Sequence, residues 1–257
     1  MTRNQVFELL QQSGGIRAAR IITDNVKRIS GMRARRFARM LRAGVPVAKI
    51  IHQKWFFGLK FYTNEYTLDP RPDTETLVAA VIADCGTGAC PRILDLGTGT
   101  GCIISALVKN IYGASGVGID RSWRALRVAR KNVRDLELQE SVKIKYGKFS
   151  SRNKKIGLFD IIVSNPPYIA SGDCRVNDGA MHDPKIALYA CDNGLGAYKE
   201  IARNAKSWLT DDGKIYLEIG QGQTASVSQL FVDNGWRFLR AERDLGGVER
   251  VLVFAKV

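Results

Sequence analysis

From residue 91 onward the chain alternates short apolar runs with stretches of helical periodicity, and this alternation restricts the fold more than any other feature. Ile93 to Leu96 predicts a strand, Gly97-Thr98-Gly99-Thr100-Gly101 a tight turn, and Cys102 to Lys109 a helix. Gly116 to Ile119 predicts the next strand and Trp123 to Asn132 the next helix, while Val142 to Tyr146 and Asp160 to Val163 read as strands three and four. A helix over Gly196 to Trp208, a strand over Lys214 to Ile219, a helix around Thr224 to Phe231, and strands near Trp236 to Arg240 and Glu249 to Phe254 complete the series. Strands separated by helices pair in parallel through crossover connections. The expected fold is therefore α/β, a doubly wound and mostly parallel sheet, with a final hairpin able to add an antiparallel strand.

The first turn of this series carries chemistry. Gly97, Gly99 and Gly101 follow a strand and open a helix, so the main chain can adopt positive φ and approach a ligand closely, and exposed N–H groups there would receive a carboxylate or phosphate. Such a turn taken alone also occurs in dinucleotide sites and in turns that bind nothing. Asp120, nineteen positions after Gly101 at the end of "VGID", adds a carboxylate able to accept both ribose hydroxyl protons. An adenosine-type ligand is the reading that joins the two.

A second corner stands at the end of strand four, where "SNPPYIA" spans residues 164 to 170. Pro166 and Pro167 remove two backbone donors and fix two φ angles, so Asn165 to Tyr168 cannot continue a ladder and form a stiff corner. In a parallel sheet the carboxyl ends of strands one and four face the same crevice, which puts both corners across one pocket. A nicotinamide enzyme has no need of this second rigid corner.

The formal net charge of +14 is unevenly placed: the first 55 residues hold 12 Lys and Arg against 2 acids. The stretch "KRISGMRARRFARMLRAGVPVAKII" sets Lys27, Arg33, Arg36 and Arg39 among Ile29, Phe37, Met40 and Leu41 at helical spacing, and Gly44 and Pro46 stop it. This is either a small helical unit with a solvated basic face or a dock for a phosphate backbone or acidic macromolecule. Between it and the main series, aromatic and β-branched residues around Gly58 and Asn64 predict a hairpin of Trp55 to Gly58 and Lys60 to Thr63. Pro70 and Pro72 end it, and Asp73-Thr74-Glu75 is expected to cap a helix through Leu77 to Ala83. Five scattered cysteines, at 85, 90, 102, 174 and 191, argue against a disulfide framework and fit a reducing cytoplasm. Cys85 and Cys90 lack further soft ligands, so no metal is expected. No apolar stretch is long enough to cross a bilayer and no signal-type block follows the start, so no membrane partner is expected.

"DLGTGTG" at 95 to 101, "GID" at 118 to 120 and "NPPY" at 165 to 168 resemble the motifs of S-adenosylmethionine-dependent amino-group methyltransferases. More narrowly, "FFGLKFYTNEYTLDPRPDTE", "HDPKIALYACDNGL" and "RDLGGVERVLV" resemble the release-factor glutamine methyltransferases, the HemK/PrmC family, from about residue 38 to the C-terminus and in the family's order. NPPY alone also fits DNA and RNA methylases; the Pro-Arg-Pro-Asp-Thr-Glu segment narrows the choice. The resemblance implies a Rossmann-like methyltransferase domain at 73–257, a β-hairpin linker at 51–72 and a small N-terminal helical domain at 1–50 that helps dock the substrate protein. It implies methyl transfer from S-adenosyl-L-methionine to a glutamine side-chain nitrogen, in the Gly-Gly-Gln motif of class I peptide chain release factors. A monomeric, cytoplasmic enzyme is expected, with a weak nucleic-acid contact through the basic N-terminus left open.

Carried over position by position, the resemblance has Gly97, Thr98, Gly99, Thr100 and Gly101 cradle the cofactor's methionine part and ribose, Asp95 face its amino group and Asp120 hold the ribose. Asn165 and the Pro166 carbonyl would accept the two amide protons of the glutamine on the corner stiffened by Pro167, and Tyr168 would flank it. In "YGKFS" Lys148 takes the place of the family's acid, which meets the adenine amino group; lysine cannot accept that bond, while Phe149 can still pack on the adenine face. Asp183-Pro184 replaces Glu-Pro, and the N-terminal part is shorter than usual. Arg71, held between two prolines, is a candidate to line the substrate pocket. Glu218 is expected to be a solvated strand end, His52 and His182 to be structural, and Trp55, Phe56 and Phe57 to pack in the core or between domains. Two other functions stay in view: an amino methylase of nucleic-acid adenine or cytosine, acting on a flipped base, and a non-catalytic ribosome- or RNA-binding adaptor that keeps the fold.

Overall fold

The computed structural model describes residues 1–86, 88, 90–150, 156–170, 172 and 181–257. Cys174 lies outside them; Cys85, Cys90, Cys102 and Cys191 carry free thiols.

Three helices form the N-terminal unit. Helix α1 (Arg3–Asn25) starts in a capping box, in which the Thr2 side chain accepts from the Gln5 backbone and the Gln5 side chain accepts from Thr2, and it breaks at Gly15, whose φ is 84°. Helix α2 (Gly31–Arg42) is capped by Ser30, and α3 (Val47–Ile51) ends at His52 in the left-handed conformation. Val6, Leu10, Ile22, Ala34, Phe37 and Ile50 make a small core of their own. Its solvent side carries Arg17, Arg20, Lys27, Arg28, Arg33, Arg35, Arg36, Arg39 and Arg42, all exposed.

The hairpin consists of β1 (Lys54–Phe56) and β2 (Leu59–Phe61) around a two-residue turn, with Phe57 at φ 47° and Gly58 at φ 72°. Both φ values are positive, as a turn matching the strand twist requires, so the strands stop short of the predicted Gly58 and Thr63. Phe57 tolerates its conformation because its N–H donates to the Glu75 carboxylate at 2.8 Å. Glu75 is thereby drawn away from capping. A 3-10 turn, Pro72–Thr74, leads into α4 (Glu75–Asp84) with no side-chain cap.

The central sheet contains β3 (Arg92–Leu96), β4 (Ser115–Asp120), β5 (Val142–Tyr146), β6 (Phe159–Ser164), β9 (Leu209–Glu218), β10 (Trp236–Arg243) and β11 (Glu249–Lys256). A separate two-residue parallel pair is made by β7 (Ile169–Ala170) and β8 (Tyr189–Ala190). The sheet order is β10-β11-β9-β6-β3-β4-β5, with β11 antiparallel to both its neighbours and the other pairings parallel. Crossovers run through α5 (Cys102–Asn110), α6 (Trp123–Asp135), α8 (Gly196–Asn204) and α9 (Thr224–Asp233), and a short α7 (Lys185–Leu188) precedes β8.

Side-chain alternation divides the core between the two faces of the sheet. Ile93, Val163, Tyr216 and Val253 pack with Leu77, Val81, Ile104 and Val133 on one face. Leu94, Ile162, Leu217 and Phe254 pack with Tyr198, Trp208, Phe231 and Trp236 on the other. Each large side chain removed from water contributes about 2 kcal/mol. The sheet thus has strong cover on both sides, and the order reverses between β3 and β6, where a crevice opens above the strand ends.

Candidate active site

The crevice is a cleft of about 450 Å³ lined by the turn after β3, the end of β4, the loop after β5 and the corner after β6. Register sets the two corners side by side: Leu96 pairs with Ser164, and the Ser164 hydroxyl donates to the Leu96 carbonyl at 2.7 Å. One residue further along, Gly97 and Asn165 both line the cleft.

The turn is held from below by its own backbone. Gly97 and Thr98 N–H both donate to the Ile119 carbonyl at 2.9 Å, Gly99 N–H donates to Asp120 Oδ2 at 3.0 Å, and Gly101 N–H donates to the Thr98 carbonyl at 2.7 Å. The expectation of a row of exposed donors is therefore corrected: three of these amides fix the turn onto β4 and the fourth closes it on itself. What the glycines supply is shape. All three have positive φ, and a Cβ on Gly97 would stand 3.2 Å from the Phe149 ring, while one on Gly118 would stand 2.7 Å from Thr98 Oγ1.

Two carboxylates approach this turn. Asp95 is fully buried; its Oδ2 accepts from the Thr98 hydroxyl at 2.6 Å and its Oδ1 closes no hydrogen bond. Burial, with the Asp120 charge adding, raises its pKa to about 7. Asp120 is spread open by two backbone donors, Gly99 N–H on Oδ2 and Ser122 N–H on Oδ1 at 2.8 Å, and burial raises its pKa as well. Each oxygen keeps a lone pair for a further donor. Asp120, Phe149 and Lys148 line the cleft with Gly97, Thr98, Gly99 and Thr100, whereas Asp95 and Gly101 lie behind its wall.

On the opposite side, Asn165 Nδ2 donates to Thr74 Oγ1 at 3.1 Å, and nothing among the described residues donates to its Oδ1. Nothing among the described residues donates to the Pro166 carbonyl. Pro167 lines the cleft; Pro166 is buried behind it, and Tyr168 packs against the core with its hydroxyl pKa raised by burial. The Tyr168 carbonyl accepts from Gln223 Nε2 at 3.1 Å, and a Cβ on Gly194 would strike it at 2.3 Å. The Tyr168 main chain thus ties the corner to its support, and its side chain does not line the cleft.

Glu218 departs from its expected solvated state: it is 1% exposed at the end of β9, its Oε2 has no partner, and burial raises its pKa to about 7 against the Thr74 hydroxyl, which pulls it down. At the rim, Arg71 lines the cleft and its Nη2 meets Asp183 Oδ2 at 2.6 Å. Asp183 Oδ1 is 2.8 Å from Lys49 Nζ, which also bonds Asp69 Oδ1 at 2.9 Å and the carbonyls of Asn64 and Thr67. Sequence reasoning missed Thr74 and Lys49, because each acts across a long chain separation. A lysine flanked by Ala48 and Ile50, followed by Asp69 and Asp183 beside prolines, is the one signal that was available.

The remaining candidates are structural or exposed. His52 Nδ1 lies 3.1 Å from the Thr63 carbonyl and its ring stacks on Tyr62. Phe56 is buried and Phe57 packs on the core, but Trp55 is 62% exposed, since strand alternation turns it to solvent when Phe56 faces in. Among the described residues, no cluster of His, Cys, Asp and Glu could hold a metal, and no helix is long and apolar enough to cross a membrane.

Residues 73–182 match the family model described as Methyltransferase small domain. The chain is 40% identical to a protein named release factor glutamine methyltransferase from Agrobacterium fabrum, a match covering 92% of this chain and 81% of that relative. A protein of the same name from Caulobacter vibrioides is 32% identical, covering 96% of this chain and 87% of that relative. A crystal structure of a methyltransferase from Pyrococcus furiosus superposes with a TM-score of 0.56 at 18% identity over 86% of this chain and 98% of that one, a likeness of fold alone.

Proposed function

The chain belongs to the release factor glutamine methyltransferases, and from that membership we propose that its cleft directs methyl transfer from S-adenosyl-L-methionine to the side-chain nitrogen of the Gly-Gly-Gln glutamine of class I peptide chain release factors. The donor set fits this cofactor. The orphaned Asp95 Oδ1 suits its ammonium group, directly or through water, and the two open lone pairs of Asp120 suit the ribose hydroxyls. Phe149 offers a face for the adenine beside a turn that only glycine at 97 leaves open. The Lys148 side chain gives the adenine amino group no acceptor, so recognition of the base falls to packing and to a compensating main-chain carbonyl.

When bound, the cofactor supplies a methyl group made electrophilic by a sulfonium centre. The chain's part is to prepare the nucleophile. A carboxamide nitrogen is weak because its lone pair is delocalised; two acceptors on its two protons favour localisation of that pair and fix its direction. Asn165 Oδ1 on the cleft wall opposite the Gly97 turn is one such acceptor, and the Pro166 carbonyl on the same proline-stiffened corner would be the second. The place of Asn165 on that wall is the observation that carries the reading. The Asp183 salt bridge holds Arg71 at the mouth, where its remaining guanidinium donors can bind an incoming main chain.

In this reading residues 1–50 dock the substrate protein, 51–72 form the linking hairpin and 73–257 form the transferase domain, an assignment supported by a family match that begins at residue 73. The enzyme works as a monomer in the cytoplasm, where its substrate acts. The test is incubation with methyl-labelled cofactor and purified class I release factors, with total RNA in parallel, the label being located by mass spectrometry. Label on a release-factor glutamine is the expected result. Label on RNA bases would keep the pocket and overturn the substrate.

A further inference from the structure

We propose that Glu218, acting through Thr74, fixes which way the Asn165 amide faces, so that its oxygen and not its nitrogen meets the substrate. The proposal rests on reading Asn165 as the acceptor for the glutamine amide. A primary amide has two orientations of nearly the same shape and opposite hydrogen-bonding sense. The wrong one sets an NH2 group against the substrate's own NH2.

The sheet register explains why Glu218 is in place to decide between them. Strands β6 and β9 are parallel with Ser164 opposite Leu217, so the next residues along, Asn165 and Glu218, are neighbours at the strand ends. Thr74 enters from the turn before α4 and is 3% exposed. Its oxygen accepts from Asn165 Nδ2 at 3.1 Å, which leaves its one hydroxyl proton to point elsewhere, and the Glu218 carboxyl, whose pKa both Thr74 and Asn165 pull down as donors, is the acceptor beside it. A hydroxyl has one proton, so the Glu218 acceptor fixes the direction of the relay: Asn165 to Thr74 to Glu218. Remove that acceptor and the Thr74 proton is free to turn toward Asn165, which invites the flipped amide.

Glu218 itself has few alternatives. Its Oε2 is buried without a partner, and the charges around it act in opposite senses: Asp73 opposes ionisation and Arg250 favours it. The phenols of Tyr168 and Tyr198 and the thiol of Cys102 also face its charge, and all three have raised pKa values. With its pKa near 7, Glu218 changes charge within the working range, so the orientation signal weakens on the acid side.

The test uses the full chain with Thr74→Val, Thr74→Ser, Glu218→Gln and Asn165→Ala. Without cofactor, nitrogen-proton spectra of the Asn165 side chain should show one downfield, slowly exchanging proton that persists in Thr74→Ser and disappears in Thr74→Val. With cofactor and a class I release factor, Thr74→Val should lower kcat at least about tenfold while cofactor Kd stays within about twofold. Thr74→Ser should restore kcat, and Glu218→Gln should lower it and flatten the acid limb near pH 7. If Thr74→Val leaves both the amide spectrum and kcat unchanged while Asn165→Ala is inactive, the relay is refuted and the acceptor reading stands. An active Asn165→Ala variant overturns both.

Discussion

Asp95 and Asp120 stand on the same turn, yet their surroundings assign them different behaviour. Asp120 receives a main-chain donor on each oxygen, whereas Asp95 has one hydroxyl donor and one bare oxygen in a fully buried position. Its folded pKa of about 7 lies above the unfolded value, so the native state binds the proton more tightly and stability falls as pH rises from about 4 to 7. Asp95→Asn should therefore stabilise the cofactor-free protein at pH 8, by at most about 4 kcal/mol, with the gain vanishing near pH 4; denaturant unfolding at the two pH values checks it. The same variant should weaken cofactor binding, because an ammonium group needs the ionised form. In the wild type that affinity should drop as pH falls below about 7, which calorimetry can follow. Asp120→Ala should weaken cofactor binding by tenfold or more through loss of two charge-assisted bonds, and equilibrium dialysis with labelled cofactor reads it directly. The residue types were legible in "DLGTGTG" and "GID"; the difference between the two acids was not, because it depends on which amides reach them.

At the scale of elements, the glycines of this region act through what stands opposite them. Gly118 lies within β4, where a side chain would ordinarily strengthen the strand, but a Cβ there would meet Thr98 Oγ1 at 2.7 Å and Ile144 Cδ1 at 2.9 Å. Gly118→Ala should push Thr98 off Asp95, cost about 1–3 kcal/mol and reduce cofactor affinity with it; paired unfolding and binding measurements test whether the two losses move together. Strand positions were readable because two-sided cover leaves continuous apolar runs such as Ile161 to Val163. Two elements were not readable. Helix α1 contains Gly14-Gly15 and little periodic apolar patterning, and Gly14 lets α2 come close, since a Cβ there would stand 2.9 Å from Leu41 Cδ2 and make that side chain shift. The first half of β9, "LTDDG", looks like a loop in sequence; Leu209 pairs with Phe159 on β6 and the regular register resumes only at Lys214, so the residues between form an irregularity held in the strand by β6 at its two ends. In both cases the deciding contact comes from another element.

At the scale of the whole molecule, a single buried lysine joins the N-terminal helices to the mouth of the cleft. Lys49 on α3 is 4% exposed and sits between Asp69, from the segment after the hairpin, and Asp183, from the segment before α7; Asp183 in turn holds Arg71. Two cations face two anions, and Thr63 Oγ1 adds a donor to Asp69 at 2.5 Å. Such a cluster is weak support for stability as a unit, since its desolvation offsets its attraction, but removing one member leaves buried charge without a partner. Lys49→Met should therefore cost about 3–5 kcal/mol, and Lys49→Met with Asp69→Asn should recover part of that, because one of the stranded charges goes with it. The functional consequence separates from the energetic one. Lys49 touches neither the Gly97 turn nor Asn165, so cofactor affinity in the folded variant should hold, while KM for a protein substrate rises as Arg71 and the helices lose their common anchor. Denaturant melts, cofactor titration and substrate kinetics on the same preparation resolve the three effects; a KM that stays put with stability lost would make the cluster a fastening of the fold alone.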